Sequence, residues 1–155
     1  MPLMIFNYRF IIALICAALL LLSGCKKAIE DIPPETLQGY FEKNILNKNF
    51  VVELATDSSV DKTGLYTGYS FILTKGASYT QGPMTGTKGG TVYTGTWASN
   101  ADYSQLAINL NSPAIPTEFI FLNRVWRFTK KSLPIMELAP YGTTDPKVLY
   151  MRRVQ

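Results

Sequence analysis

Aromatic side chains are the groups in this chain best equipped to hold a ligand. Trp97 and Trp126 lead them, supported by Tyr93, Tyr79 and Tyr69. Exposed, such rings stack on sugars; turned inward, they line an apolar pocket. Tyr93 and Trp97 are four residues apart, which on a strand puts them on one face with Gly95 between them. A glycine there leaves room for a neighbouring ring or for a ligand. On a strand of a small barrel, however, a tryptophan is ordinarily core.

Acid–base chemistry has little to work with. The carboxylates Glu53, Asp57, Asp61, Asp102, Glu118 and Glu137 are scattered, mostly at expected turns, and nothing marks a pair of the kind a glycosidase needs. Asp57 and Asp61 lack the dense oxygen ligands and distal glutamate of an EF-hand-type calcium loop. The chain contains no histidine, which removes imidazole catalysis and histidine metal ligation. Lys88-Gly89-Gly90 is too short to cradle phosphate and reads as a turn. The expectation is a non-enzymatic protein with no catalytic residue, metal site or cofactor.

One stretch does carry covalent chemistry. Leu22-Ser23-Gly24-Cys25 follows the apolar run from Phe10 to Leu21. Small residues before the cysteine admit an extended backbone to a signal peptidase, and Cys25 offers a thiol for a thioether-linked diacylglycerol. The four residues fit a bacterial lipobox. An apolar segment of about thirteen residues suits a signal peptide and is short of the roughly 20 that span a bilayer as a helix. Residues 1–24 are therefore read as the signal, 25–34 as a tether ending in Pro33-Pro34, and 35–155 as one domain. Acylation would place the protein in the cell envelope, at the outer membrane, with its periplasmic or external face left open.

Cleavage at that point removes Arg9, so the 15 basic residues become 14 against 11 acids, a net charge of +3. That is too slight and dispersed for a nucleic-acid protein. Cys16 departs with the signal, leaving Cys25 as the one mature cysteine and excluding an intramolecular disulfide. The sequence leaves the oligomeric state undefined.

Leu37, Tyr40, Phe41 and Ile45 share a helical face, which predicts a helix from Glu35 to Asn47 that plugs or flanks the core. Thereafter the period is two. Phe50, Val52 and Leu54 alternate, then Tyr69, Phe71 and Leu73; a weaker strand covers Ser78 to Gln81, ended by Gly82-Pro83. Gly89-Gly90 signals a hairpin leading into a strand from Thr91 to Ala98. Leu106, Ile108 and Leu110 alternate most cleanly, and further strands are expected at Phe119–Leu122, Val125–Thr129, Pro134–Leu138 and Lys147–Arg153. About eight strands with short connections predict an all-β, antiparallel up-and-down barrel with a short N-terminal helix. Arg152-Arg153, like Lys130-Lys131, reads as a solvated strand end, with lipid headgroups as the alternative contact of Arg152-Arg153.

In order along the chain stand Gly68-Tyr-Ser-Phe71, Thr87-Lys-Gly-Gly90, Thr94-Gly-Thr-Trp97, Leu-x-Ile-x-Leu at 106–110 and Trp126-Arg-Phe128. This arrangement, from about Phe50 to Val154, resembles a group of lipocalin-like lipoproteins of the Bacteroidota. The resemblance implies an up-and-down barrel in the envelope and no established activity. True lipocalins carry Gly-x-Trp on their first strand, whereas Gly95-Thr96-Trp97 lies mid-chain, so no ligand residue is transferred. The functional expectation is a small apolar or amphipathic ligand bound in the barrel beside Trp97, Trp126, Tyr93, Tyr69 and Tyr79. The alternatives are a structural or protein-interaction module with a filled barrel, and a glycan-binding accessory protein using surface aromatics.

Overall fold

The computed structural model describes residues 34–130 and 133–155. The signal at 1–24, Cys25, the tether up to residue 33 and Lys131 lie outside the described residues. Helix α1 covers Pro34–Asn44. Proline suits its first position, where a backbone N–H would be unpaired in any case. Phe41 on this helix, and Ile45 and Leu46 just beyond it, are buried, with Leu37 packed against them.

Nine strands follow: β1 (Asn49–Asp57), β2 (Val60–Asp61), β3 (Ser70–Leu73), β4 (Gln81–Lys88), β5 (Thr91–Ala98), β6 (Gln105–Ser112), β7 (Val125–Lys130), β8 (Ile135–Pro140) and β9 (Lys147–Val154). All pairings are antiparallel. β9 returns to pair with β1, closing eight strands into a barrel; the two-residue β2 hangs from β1 as an extra strand. Closure leaves the barrel strands without a long free edge. The expected architecture is the observed one.

Three details depart from the sequence reading. The strand expected over Ser78–Gln81 is displaced: Tyr79-Thr80 is a turn, and β4 starts at Gln81 and runs straight through Gly82 and Pro83, which reads as a stop in the sequence. The reason is cross-strand crowding: a Cβ on Gly82 would collide with the Thr74 carbonyl and come within 3.0 Å of Trp97 Nε1. A Cβ on Gly86 would sit 3.0 Å from the Phe71 ring. Glycine serves here as space, for the β3–β4 backbone and Trp97 at Gly82 and for the Phe71 ring at Gly86.

Phe119–Leu122 forms a single turn of helix, α2, not a strand. Four consecutive apolar residues have no period, so sequence pattern alone does not separate a buried strand from a buried turn. In β1, a bulge between Val52 and Leu54 shifts the inward phase, so Ala55 is buried while Leu54 is only partly so.

Two seams are short of strand pairing and are closed by other means. β1 meets β3 at only two positions. Beyond them the 3₁₀ turn Thr63–Tyr66 covers the edge: Ala55 N donates to Thr63 Oγ1 at 3.0 Å and Lys62 N to the Ala55 carbonyl at 2.7 Å. β6 pairs β7 at three positions, because the chain swings away into α2. There the Asn123 carboxamide substitutes for a strand, accepting from Leu110 N and donating to Leu110 O, both at 2.8 Å.

The helices stop the two mouths of the barrel. The α1 end carries the β3–β4, β5–β6 and β7–β8 connections, and the α2 end carries the β4–β5 and β8–β9 connections. Both plugs are made of aromatic and aliphatic side chains continuous with one core.

Candidate functional site

Trp97 and Trp126 are 1% and 0% exposed. Trp97 points inward from β5, where its ring lies 5.5 Å from Phe41 of α1, and its Nε1 donates to the Thr74 carbonyl at 2.8 Å. Phe41 also meets Tyr103 at 4.8 Å, so the α1 end is sealed by rings packed at a tilt. Trp126 lies toward the other end, 5.5 Å from Phe121, with Nε1 donating to the Leu122 carbonyl at 2.9 Å. An indole N–H buried with a backbone acceptor is fully used, and neither ring has a polar handle left for a ligand.

Tyr69 and Tyr93 come together at the α2 end, 5.9 Å apart, and Phe119 packs against both at 5.2 and 5.1 Å. Tyr69 is buried and its hydroxyl donates to Glu118 Oε1 at 2.9 Å; Tyr66 donates to the Glu118 carbonyl at 2.7 Å. Burial, then the hydrogen bond to Glu118, holds the Tyr69 phenol well above its ordinary range. Burial, then the charge of Glu118, does the same to Tyr66. A phenol held so firmly protonated is a poor acid, and these bonds serve to fasten the loop before α2 onto the barrel rim. Tyr79 stands apart at the α1 end, half-buried, with Lys75 Nζ 3.8 Å above its ring. The five aromatic residues therefore divide between the two ends and form no single site.

Part of the space left by Gly95 is filled by β6, and Gly76, Gly82, Gly95 and Trp97 also line an open hollow of about 600 Å³. A Cβ on Gly95 would strike the Asn109 carbonyl and lie 2.6 Å from Leu110 Cα, so the missing side chain admits the backbone of β6. The void between α1 and the barrel, walled by Phe41, Tyr103, Phe128 and their neighbours, is about 10 Å³. That is about the space one water needs, and its walls are mainly apolar. Among the scattered acids, Asp57 pairs with Lys147 at 3.2 Å and Asp61 accepts from Thr63 N at 2.8 Å. Among the described residues no group of three or more metal-ligating side chains forms.

This barrel has a solved counterpart. A protein of the DUF4847 family from Bacteroides vulgatus superposes with a TM-score of 0.50 at 14% identity, over 72% of this chain and 96% of its own. At that identity the likeness is one of fold. No protein-family model and no curated protein matches the chain.

With the interior occupied, the outside carries the unexplained features. Among the described residues eight large apolar side chains are exposed, and seven of them lie at the α2 end. Leu65, Ile115 and Ile120 flank the loop that Tyr66 and Tyr69 tie down, at 50, 54 and 64% exposure. Val125 and Tyr141 adjoin through the bond from Tyr141 N to the Val125 carbonyl, and Val60 and Val92 stand on the adjacent hairpins. The eighth, Tyr40, is on α1 at the opposite end. There an open groove of about 600 Å³ runs between the end of α1 and the end of β9, with Lys43, Lys48, Asn49 and Arg153 in its walls. The apolar rim has no local sequence signature, because its members come from separate loops and one of them, Ile120, lies within the Phe119–Leu122 segment expected to be a strand.

Proposed function

We propose that this is a lipid-anchored, non-enzymatic protein of the bacterial cell envelope whose filled barrel acts as a protein-interaction module. The observation that carries the reading is the gathering of exposed apolar side chains around the α2 end of a barrel whose inside is packed with its own rings. Scattered exposed apolar residues are normal, whereas their concentration on one face marks a contact surface. The anchored part rests on the lipobox residues Leu22-Ser23-Gly24-Cys25. Outer-membrane placement and kinship with lipocalin-like lipoproteins belong to the same reading. With Cys25 acylated, α1 begins nine residues along, no more than about 30 Å of extended chain from the lipid. The α1 end then faces the bilayer and the α2 end faces away from it, where an envelope protein with an apolar epitope can dock.

A photo-crosslinker placed at Leu65 or Tyr141 in cells should yield one discrete adduct, lost when Ile115→Asp and Ile120→Asp are added. A crosslinker at the outward Thr96 should yield none. Equal adducts at all three positions would sink the docking reading. Separately, Cys25→Ser should abolish acylation and release the protein from the membrane fraction; unchanged fractionation would remove the anchor.

A further inference from the structure

Where β5 passes the end of β6, a short run of barrel edge is left without a neighbour. β6 meets β5 only as far as Ser112, which pairs with Thr94. Pro113 follows and has no N–H, so it cannot carry the ladder further. β5 nevertheless extends over Thr91, Val92 and Tyr93, held from its other side by β4. The turn between those two strands fixes which backbone groups are spare. Gly89 and Gly90, with φ of +55° and +84°, make a two-residue turn between Lys88 and Thr91. The flanking residues exchange their backbone bonds and bonding alternates along the strand, so Val92 turns its N–H and C=O away from β4. On that side neither group meets a strand or a loop among the described residues. The seams beside β1 and β7 are closed by the Thr63–Tyr66 turn and by Asn123. This one stays open.

We infer that this edge, which belongs to the docking surface proposed above and rests on that reading, receives the partner by strand addition. An extended segment of an envelope protein lies along β5 and exchanges backbone hydrogen bonds with Val92, in the place where β6 has stopped. Spare N–H and C=O groups on a strand edge are met by another backbone in extended form. The side chains around them are apolar and open. Val92 itself is 50% exposed, and Ile115 and Ile120, on the segment that leaves β6, are 54 and 64% exposed. Phe119, next to Ile120, packs against Tyr93 at 5.1 Å and so holds that segment beside β5. A strand presents alternate side chains to opposite faces. The segment recognised is therefore one with apolar residues at every second position, which pack on the rim while the backbone bonds Val92. Main-chain bonds supply affinity and the apolar rim selects the sequence.

The test follows the adduct that a photo-crosslinker at Leu65 or Tyr141 forms in cells. Val92→Pro deletes the outward N–H and leaves the pairing with β4 in place, as an edge position allows, and should cut the adduct at least tenfold. Val92→Thr, which keeps both backbone groups, should retain most of it. The closed sheet and continuous core within Pro34–Gln155 permit a folding check on the leaderless chain from Lys26. There Val92→Pro should melt within about 5 °C of the parent. Amide exchange in the adduct needs no variant. The Val92 amide should slow at least tenfold on capture, and those of Thr91 and Tyr93, already turned to β4, should change little. Should Val92→Pro unfold the chain, the exchange reading decides alone. An undiminished adduct from a folded Val92→Pro chain, or unchanged exchange at Val92, would overturn strand addition and leave the docking surface standing. No adduct from the parent would remove the docking surface itself, and strand addition with it.

Discussion

Replacing Asn123 with alanine removes two hydrogen bonds at once and strips the β6–β7 seam of its bridge. The carboxamide contacts Leu110 through both its oxygen and its nitrogen at 2.8 Å, and Leu110 is 0% exposed. Leu110 N and O then lose their partners inside the wall of the barrel. Each buried backbone group left unpaired costs about 1–3 kcal/mol, so the pair costs about 3 kcal/mol after partial relief by entering water. For a domain of this size that is a fall in melting temperature of about 12 °C. Asn123→Asp is the informative companion. It keeps an oxygen for Leu110 N but turns a second oxygen on the Leu110 carbonyl, so it should be at least as destabilising as alanine at neutral pH. Urea unfolding followed by tryptophan emission gives the free energies, and amide exchange at Leu110 localises the effect. A change below about 0.5 kcal/mol for Asn123→Ala, with Leu110 exchange unaltered, would refute the idea that this side chain serves as a strand.

Other consequences are equally direct. Tyr66 and Tyr69 titrate above the range of an unfolded tyrosine, so the stability they confer is complete below about pH 10 and is lost as pH rises towards their folded values. Tyr69→Phe should therefore make the decline in melting temperature between pH 9 and 11 shallower than in the parent, and identical slopes would contradict the burial of that phenol. Three glycine-to-alanine changes should rank by what the new methyl meets. Gly95→Ala, against the β6 backbone, should cost about 3 kcal/mol, and Gly86→Ala, against the tiltable Phe71 ring, about 1 kcal/mol. Gly39→Ala, on α1 with nothing within 4 Å, should gain about 0.5–1 kcal/mol. Thermal melts decide the order, and a tolerated Gly95→Ala would mean that β6 does not approach β5 as described.

Most of the barrel was legible because half-buried strands print a period of two. Leu106, Ile108 and Leu110 show it, and each is buried as its position requires. The hairpin at Gly89-Gly90 was equally plain, with φ of +55° and +84° at its two residues. What escaped was set by neighbours distant in sequence. Gly82 resembles a break until the Thr74 carbonyl, the Gly76 backbone and Trp97 are seen occupying the room it leaves. Phe119–Leu122 has the composition of a strand and becomes a plug because a barrel mouth needs one. The aromatic candidates were identifiable, but their surroundings were not: an inward ring that fills a barrel and one that lines it have the same sequence. The apolar rim and the basic groove are each assembled from separate segments, so neither has a local signature.

The interior of the barrel is filled by the chain's own side chains. Titrating the leaderless domain with a panel of fatty acids and oligosaccharides, while following tryptophan emission and acrylamide quenching, tests this most directly. Trp97 and Trp126 are both 1% exposed or less, so the emission should be blue-shifted, protected from quencher and indifferent to every ligand in the panel. A saturable shift with an apolar ligand would mean that the barrel opens to receive it, and that the filled interior is not its working state.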